Sequence, residues 1–380
     1  MKIAILYNFL DNIGGAEIMC LNLARELNAD IYTTNINKGR IKIMGFEDQI
    51  KNIFSIGKIP VNAPIRQQIV LMRFERLKLR NKYDLYIIFG EWALSGALNN
   101  HPNIWYIHSP IREIWDMYEG IRNNLLWYKR PFFDMWVYYN RHLNKKYLKS
   151  VDRSVCNSLN TQKKIKQYLN IDSKILYPLI ETTDFHFNKS GDYWLSVNRL
   201  INHKRVEIQL KAFEKLPLEK LIIVGSYEKS NHIRSYANHI KKIKPKNVEI
   251  KSFVSQKELI DLYANCKGTL TTSKDEDFGR LPIESMASGK PVIAPNEGGY
   301  KETVIDGRTG ILIDDIDETK LMETIKKISR KLESTKIQQQ YKTQCQKQAK
   351  NFDKQTFMKK LNEEIDKVLN RKNGFKNIND

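Results

Sequence analysis

No stretch of the 380-residue sequence is apolar for long enough to span a bilayer. The amino-terminal run MKIAILYNFLDNIGG is short and no small-residue cleavage site follows it, so it predicts a first β-strand rather than a secretion signal. A disulfide framework and a zinc site are not expected, and a reducing cytosol fits, because the cysteines lie far apart without a CxxC pair. These cysteines are Cys20, Cys156, Cys266 and Cys345.

Repeats at a fixed period and long low-complexity segments are also absent, so a repeat architecture is not expected. The hydrophobic content of 41%, with 10% aromatic residues, is enough to build packed cores. The chain length favours two domains. Lys and Arg total 63 against 43 Asp and Glu, a formal charge of +20. This excess predicts an acidic partner: nucleic acid, an anionic membrane or a phosphorylated substrate.

Short β-like runs alternate with helical patterns. The runs are KIAILYN, DIYTTN, YDLYIIFG, IWYIHS, DRSVCNS and KILYP, followed by YWLSVN, EKLIIVGS, NVEIKSFV, GTLTTS, PVIAP and TGILI. The alternation predicts parallel sheets with helices on both faces, in two doubly wound α/β domains. The join is expected in the polar stretch 178–192.

The stretch SKDEDFGRLPIESMASG, residues 273–289, places Glu276 and Glu284 on either side of a turn. It predicts a loop at the carboxyl end of a buried strand and a helix from Pro282. Ligands of open parallel sheets bind at such ends, and a helix start favours an anion. Glu284 is expected in the first helical turn, where it either complements the helix dipole or accepts hydrogen bonds from a ribose diol.

The spacing of Glu276 and Glu284 resembles the Glu-x7-Glu signature of retaining GT-B glycosyltransferases, specifically glycosyltransferase family 4. Five other segments resemble that family in the right order. They are NIGGAE, YIHSPIREIWDMYE of the mannosyltransferase-like branch, CNSLNTQKKI, YWLSVNRLINHKRVEIQLKAF and GGYKETVIDGRTGILI. The resemblance covers nearly the whole chain and implies the α/β GT-B fold, two doubly wound Rossmann-like domains that face each other across a cleft.

The implied domains are residues 1–180 on the acceptor side and residues 190–350 for the nucleotide sugar. The amphipathic carboxyl-terminal segment, at about 353–372, is expected to form a helix that crosses back to the first domain; the alternative is a cap on the second. Its apolar residues recur at helical spacing: Phe352, Phe357, Leu361, Ile365 and Leu369.

Site residues follow from the resemblance. Glu284 would hold the ribose hydroxyls and Glu276 the sugar hydroxyls, near backbone amides of 278–280. Arg199 and Lys204 would offset the charge of the leaving diphosphate, unless they form a solvated basic loop. The segment 252–254 would line the base. The predicted catalytic residues are His108, Arg199, Lys204 and Glu276. The predicted donor-binding residues are Gly14, Gly15, Val254, Phe278, Gly279, Arg280, Leu281 and Glu284.

The candidate residues of the first domain, including Arg112 on the acceptor side, have ordinary alternatives. Gly14 and Gly15 do not form GxGxxG, so a dinucleotide fingerprint is not supported; the resemblance puts Gly15 beside the donor, and the alternative is a turn. His108 would contact the donor sugar or be a core histidine. Arg112 would meet an acidic acceptor or a phosphate, or lie in solvent.

Two DxD patterns, at 275–277 and 315–317, match a metal-dependent class of a different fold. With Arg199 and Lys204 available for the diphosphate, no metal and no cofactor are expected.

The segment Leu125–Ser150 interleaves aromatic and basic residues. It predicts a packed helix with a basic exposed side, and alternatively a contact with an anionic membrane or a lipid acceptor. Nucleic acid has no fold motif in its support.

The sequence therefore predicts a cytoplasmic, peripheral, retaining and metal-independent hexosyltransferase of polysaccharide biosynthesis, on the inner face of the membrane. It would move a hexose from a nucleotide diphosphate sugar to a glycan or a lipid-linked saccharide. The motif YIHSP favours GDP-mannose. The alternative is a non-catalytic nucleotide-sugar-binding subunit of a glycan assembly complex. Nucleic acid is not an expected partner, because a nucleic-acid binder gives the Glu pair no role.

Overall fold

The computed structural model describes residues 1–80, 82–225, 231–251 and 254–376. The chain divides into two units. Unit 1 comprises Met1–Leu179 with Phe357–Asp380, and unit 2 comprises Ile180–Thr356. Each unit contains a parallel sheet with helices, which confirms the predicted fold class of two Rossmann-like α/β units.

The strands of unit 1 are β1 Ile3–Leu6, β2 Asp30–Thr33, β3 Ile53–Ser55, β4 Leu85–Ile88, β5 Asn103–Ile107, β6 Arg153–Cys156 and β7 Lys174–Ile175. Its helices are α1 Gly15–Leu27, α2 Lys38–Ile43, α3 Ile65–Arg76, α4 Tyr118–Asn124, α5 Arg130–Leu148 and α6 Leu159–Leu169, joined later by one carboxyl-terminal helix. The described strands form one sheet in the order β3-β2-β1-β4-β5-β6-β7.

The middle of this sheet is buried on both faces. Every residue of β1, β4 and β5 is buried, which explains why these strands read as continuous apolar runs. The strand order reverses between β1 and β4, which pair in register with Ala4 opposite Tyr86. The loops that follow β1, β4 and β5 therefore emerge at one edge of the sheet.

The strands of unit 2 are β8 Tyr193–Val197, β9 Lys220–Val224, β10 Val248–Lys251, β11 Gly268–Leu270, β12 Val292–Pro295 and β13 Gly310–Ile313. Its helices are α7 Val206–Glu214, α8 Asn231–Ile243, α9 Gln256–Asn265, α10 Arg280–Ala287, α11 Tyr300–Thr303, α12 Glu318–Lys331 and α13 Thr335–Ala349. The order β10-β9-β8-β11-β12-β13 reverses between β8 and β11, so the loops after these two strands lie side by side.

The last helix, α14 Lys354–Lys376, contributes to the core of unit 1. Phe357, Leu361 and Ile365 are buried in that core, and the Phe357 ring lies 6.2 Å from that of Tyr106. Arg153 Nε donates a hydrogen bond to Glu364 Oε2 at 2.5 Å. Throughout the described ranges, no helix has both the length and the apolar character needed to cross a bilayer.

Candidate functional site

Oppositely charged side chains meet at the strand reversal of unit 2. The loop after β8 carries Arg199 and ends at Lys204, and the loop after β11 carries Glu276. Lys204 Nζ and Glu276 Oε2 form an ion pair, with side chains only 12% and 23% exposed. The structure therefore brings Lys204 and Glu276, 72 positions apart in sequence, into direct contact.

The electrostatics of this pair favour the charged form of Glu276. Burial alone would raise the pKa of its carboxyl, but the neighbouring Lys204 ammonium and the charges of His203 and Arg199 outweigh burial and lower the pKa to about 2. Arg199 is therefore close enough to act on Glu276, although its own side chain is exposed. The site holds a carboxylate next to positive charges at neutral pH.

Arg205 ties the two loops together and is absent from the predicted site. Its backbone is left-handed, with φ of 48°. Its Nε donates to the carbonyl oxygen of Thr272 at 2.6 Å, and its Nη2 forms an ion pair with Glu297. In return, Thr272 Oγ1 donates to the carbonyl oxygen of Lys204 at 2.7 Å. Nothing in the sequence indicates this role, because a left-handed arginine has no sequence signature.

Gly298 and Gly299 pack against the backbone of the loop that carries Glu276. The backbone N–H of Gly299 donates to the carbonyl oxygen of Glu276 at 2.8 Å. A Cβ at Gly298 would lie 2.4 Å from that oxygen, and a Cβ at Gly299 would lie 2.5 Å from Phe278 Cα. Both distances are too short for any side chain, so glycine is what lets these two loops pack backbone to backbone.

Helix α10 begins at Arg280, two residues before the predicted start at Pro282. The loop ends at Gly279, whose φ of 82° suits glycine, and the next residues form the first turn. Pro282 still fits there, because the first N–H groups of a helix have no intrahelical partner. Glu284 therefore lies in the second turn, and the expectation that it occupies the first turn is wrong. This weakens the helix-dipole explanation, since that effect is confined to the first turn.

Glu284 is held in one orientation by two donors. Its Oε1 accepts a hydrogen bond from Arg280 Nε at 3.2 Å, and its Oε2 accepts one from the Tyr263 hydroxyl at 2.9 Å. Arg280 Nη1 is buried and has no hydrogen-bond partner among the described residues. Tyr263 is a further residue that the sequence did not predict, because a tyrosine at helical spacing in α9 reads as core.

The remaining predicted donor-binding residues of unit 2 are Phe278, Leu281 and Val254. Phe278 is buried, with its ring 5.7 Å from that of Phe352, and Leu281 is also buried. Val254 follows β10, which is two strands away from β8. Ser252 and Phe253, predicted with Val254 to line the base, lie outside the described residues.

In unit 1 the predicted glycines lie at the start of α1. Gly14 precedes the helix in an extended conformation and Gly15 is its first residue. A Cβ at Gly14 would lie 2.5 Å from Glu17 Oε2. Asn8, which follows β1, donates to Glu91 Oε2 at 3.3 Å. Two carboxylates that the sequence did not single out therefore lie near this edge of the sheet.

His108 directly follows β5 and is neutral. Its ring lies 4.6 Å from that of Phe89, and burial lowers its pKa to about 4. Its Nε2 is buried and finds no hydrogen-bond partner within the described part of the chain. Buried polar atoms are nearly always satisfied, so this nitrogen is available to a hydroxyl of a ligand.

Arg112 is not in solvent, as one alternative had it. Its guanidinium forms an ion pair with Asp116 at 2.9 Å, and Lys164 approaches the same carboxylate at 3.4 Å. To bind an acceptor, Arg112 would have to exchange its ion pair with Asp116 for the new contact.

In the described ranges no group of three or more His, Cys, Asp or Glu side chains could hold a metal ion. Independence from metals and cofactors stays a prediction.

Comparisons with known proteins give a consistent result. A family model described as glycosyl transferases group 1 matches residues 182–351, nearly the whole of unit 2. A Candida glabrata protein named alpha-1,3/1,6-mannosyltransferase ALG2 is 26% identical over 372 residues, covering 80% of this chain and 78% of that protein. The Saccharomyces cerevisiae protein of the same name is 24% identical over 361 residues, covering 77% and 69%.

Solved structures share the fold. HepE from Anabaena, solved with UDP and glucose, aligns with a TM-score of 0.74 and 18% identity, covering 96% of this chain and 99% of that one. Sucrose-phosphate synthase from Thermosynechococcus elongatus aligns with a TM-score of 0.75 and 16% identity, covering 97% and 99%.

Proposed function

We propose that the chain is a GT-B glycosyltransferase that transfers mannose from GDP-mannose to a hydroxyl of a lipid-linked saccharide, with retention and without a metal ion. The names of the relatives that match most of the chain support the choice of mannose. The segment YIHSP supports the same choice. A nucleotide-sugar-binding subunit without turnover is not favoured, because those relatives are named as enzymes.

The observation that carries the proposal is the cluster of Arg199, Lys204 and Glu276 at the strand reversal of unit 2. Transfer breaks the bond between the anomeric carbon and a diphosphate oxygen, so negative charge grows on the leaving diphosphate. Lys204 and Arg199 stabilise that charge more in the transition state than in the bound donor. Lys204 is well placed for this because Glu276 and the backbone bonds of its loop fix its position.

The carboxylates of Glu276 and Glu284 bind the hydroxyl groups of the donor. Glu276 is ionised and accepts hydrogen bonds from sugar hydroxyls, which places the anomeric carbon. Glu284, oriented by Arg280 and Tyr263, accepts hydrogen bonds from the ribose diol. The acceptor hydroxyl gives its proton to the leaving phosphate oxygen. We name no protein nucleophile.

Transfer is tested with purified protein, candidate donors and a short-chain lipid-linked saccharide, with mass spectrometry and NMR of the product. We expect a mannose addition from GDP-mannose with the α configuration and no loss of rate with a chelator. Lys204→Ala lowers kcat by about 100-fold or more. The matched control is Lys274→Ala, an exposed lysine two residues before Glu276, which keeps the wild-type rate.

Donor choice is tested separately by thermal shift with GDP, UDP, ADP and their sugars, since a ligand that binds only the folded state raises Tm. One nucleotide class dominates, and Glu284→Ala removes its effect. A shift by UDP alone would overturn the choice of GDP-mannose. Equal activity of Lys204→Ala and Lys274→Ala would overturn the assigned role of Lys204.

A further inference from the structure

Unit 1 exposes an apolar surface at the start of α5. The residues concerned are Leu126, Trp127, Tyr128, Phe132, Met135, Tyr138 and Tyr139, each with at least half of its surface exposed. Trp127 is 79% exposed, Phe132 70% and Tyr138 78%. Single exposed apolar residues are ordinary, but a contiguous group of this size marks a site of interaction.

Helix α5 is anchored despite this exposure, because its opposite side is packed into unit 1. Val137 is buried, and the Trp136 ring lies 5.9 Å from the ring of Trp92, which follows β4. Asn140, buried on the same side, accepts a hydrogen bond from Gln68 of α3 at 2.7 Å. The helix therefore presents its outward aromatic side chains from a fixed position.

The same outward side of α5 becomes basic toward its end. Phe132, Met135 and Tyr139 are followed at helical spacing by exposed Lys146 and Lys149, with Lys145 beside them. Lys129 adds a positive charge next to Trp127. In the segment 125–150 the only acidic residue is Asp134, whose carboxylate is occupied by Arg122 and the Tyr118 hydroxyl. Lys146 pairs with Glu75 of α3 at 3.4 Å, so the surface joins aromatic and aliphatic side chains to a net positive charge carried by Lys129, Lys145 and Lys149.

The aromatic half lies at the carboxyl edge of the first sheet. Helix α5 lies between β5 and the parallel strand β6, so its first turns lie where β5 ends. The contact between Trp136 and Trp92, which follows β4, supports this placement. The same edge carries His108 and Gly14.

We propose that this aromatic-basic surface, formed by 126–139 and Lys129, Lys145, Lys146 and Lys149, docks on an anionic phospholipid membrane. Aromatic rings suit the headgroup region, and lysines next to them are attracted to anionic lipid. A second copy of the chain would bring lysines against lysines, which opposes self-association through this surface. Docking would hold unit 1 where a lipid-linked acceptor resides; this last point rests on the proposed function.

The test is co-sedimentation of the full chain with vesicles of phosphatidylcholine, and with vesicles in which about a third of the lipid is phosphatidylserine. We expect binding to the anionic vesicles that weakens with salt, and at least about tenfold weaker binding to neutral vesicles. Trp127→Ser combined with Phe132→Ser lowers the partition coefficient about tenfold or more. Lys145→Glu combined with Lys149→Glu lowers it on anionic vesicles only.

Matched controls exist in unit 2. Leu218→Ser removes a side chain that is 96% exposed, and Lys326→Glu with Lys327→Glu reverses two exposed lysines of α12. Both should bind like the wild type. Equal binding by the surface variants and the controls, or no vesicle binding at all, overturns the proposal. So does a dimer in sedimentation equilibrium that Trp127→Ser with Phe132→Ser dissociates without changing vesicle binding.

Donor hydrolysis, measured without lipid, separates this inference from the proposed function. The surface variants keep the wild-type hydrolysis rate and Tm, because none of these residues is assigned to donor binding. Vesicle binding without any sugar transfer would refute the proposed function but support the membrane-docking surface. Transfer to a water-soluble acceptor without vesicle binding would support the proposed function but refute the membrane-docking surface.

Discussion

At the residue scale, the ion pair between Lys204 and Glu276 determines the charge balance of unit 2's site. Both side chains are largely buried, and the desolvation cost of such a pair is offset only while both partners are present. Removing one partner leaves an uncompensated charge. The pair therefore links stability to function, because the same contact that fixes Lys204 also stabilises the fold.

Glu276→Gln should lower stability in a pH-dependent way. The folded-state pKa of about 2 lies below the ordinary glutamate value of 4.5, so ionisation of Glu276 stabilises the folded state above that range. Its contribution of about 3 kcal/mol is lost as pH falls from about 5 through 2. Urea unfolding at a series of pH values measures the difference between wild type and variant. That difference should be largest at pH 7 and shrink towards pH 2.

The matched control is Glu333→Gln, an exposed carboxylate in the same unit, which should show no such pH dependence. A constant difference between wild type and Glu276→Gln from pH 7 to pH 2 would contradict the ionised pair.

Sequence reasoning predicted some site residues and missed others for a physical reason. Glu276 and Lys204 are charged residues in the loops that follow the apolar strands β11 and β8, a pattern that indicates a ligand-binding edge of the sheet. Tyr263 and Arg205 act through side-chain contacts whose partners lie elsewhere in the chain, and neither breaks the pattern of its own helix or loop. Contacts of this kind become visible only in three dimensions.

At the scale of elements, the loop after β11 depends on the loop after β12. Gly299→Ala would push a methyl group into Phe278 Cα, so the Glu276 loop has to move. We expect donor affinity to fall at least about tenfold, because a shift of the loop separates Glu276 from Lys204. Isothermal titration with the nucleotide sugar measures the change.

Gly307→Ala is the matched control. Its φ of +72° strains an alanine, but nothing lies within 4 Å of the added carbon. Stability should fall by about 1 kcal/mol while donor affinity stays unchanged. Equal loss of affinity in the two variants would show that backbone strain, and not the contact between the loops, is responsible.

Elements were predictable where their residues are buried and apolar. The central strands β1, β4 and β5 fit this description, as does β12. The short strand β3 escaped prediction, because its three residues are exposed or half-buried at the sheet edge. The start of α10 was placed two residues late, because the sequence signals Pro282 more clearly than the conformation of Gly279.

At the scale of the whole molecule, unit 1 is built from two stretches that are separated by all of unit 2. Leu361→Ala in α14 leaves a cavity in the core of unit 1 and should cost about 3 kcal/mol. Hydrogen exchange followed by mass spectrometry should show faster exchange in β1, β4 and β5. Exchange in β8 and β11 should remain as in the wild type.

The exposed Leu218 supplies the control, since Leu218→Ala removes the same atoms from a side chain that is 96% exposed. It should leave exchange unchanged throughout. Faster exchange in β8 and β11 of Leu361→Ala would mean that α14 supports unit 2 instead.

The position of α14 also bears on the order in which the protein is made. A ribosome releases residues 1–179 first, yet their core stays open until Phe357, Leu361 and Ile365 emerge. Unit 2 has all its own residues by then and can fold during synthesis. The unit that is translated first is therefore completed last. Its apolar sheet face stays exposed to chaperones and proteases until α14 has been synthesised.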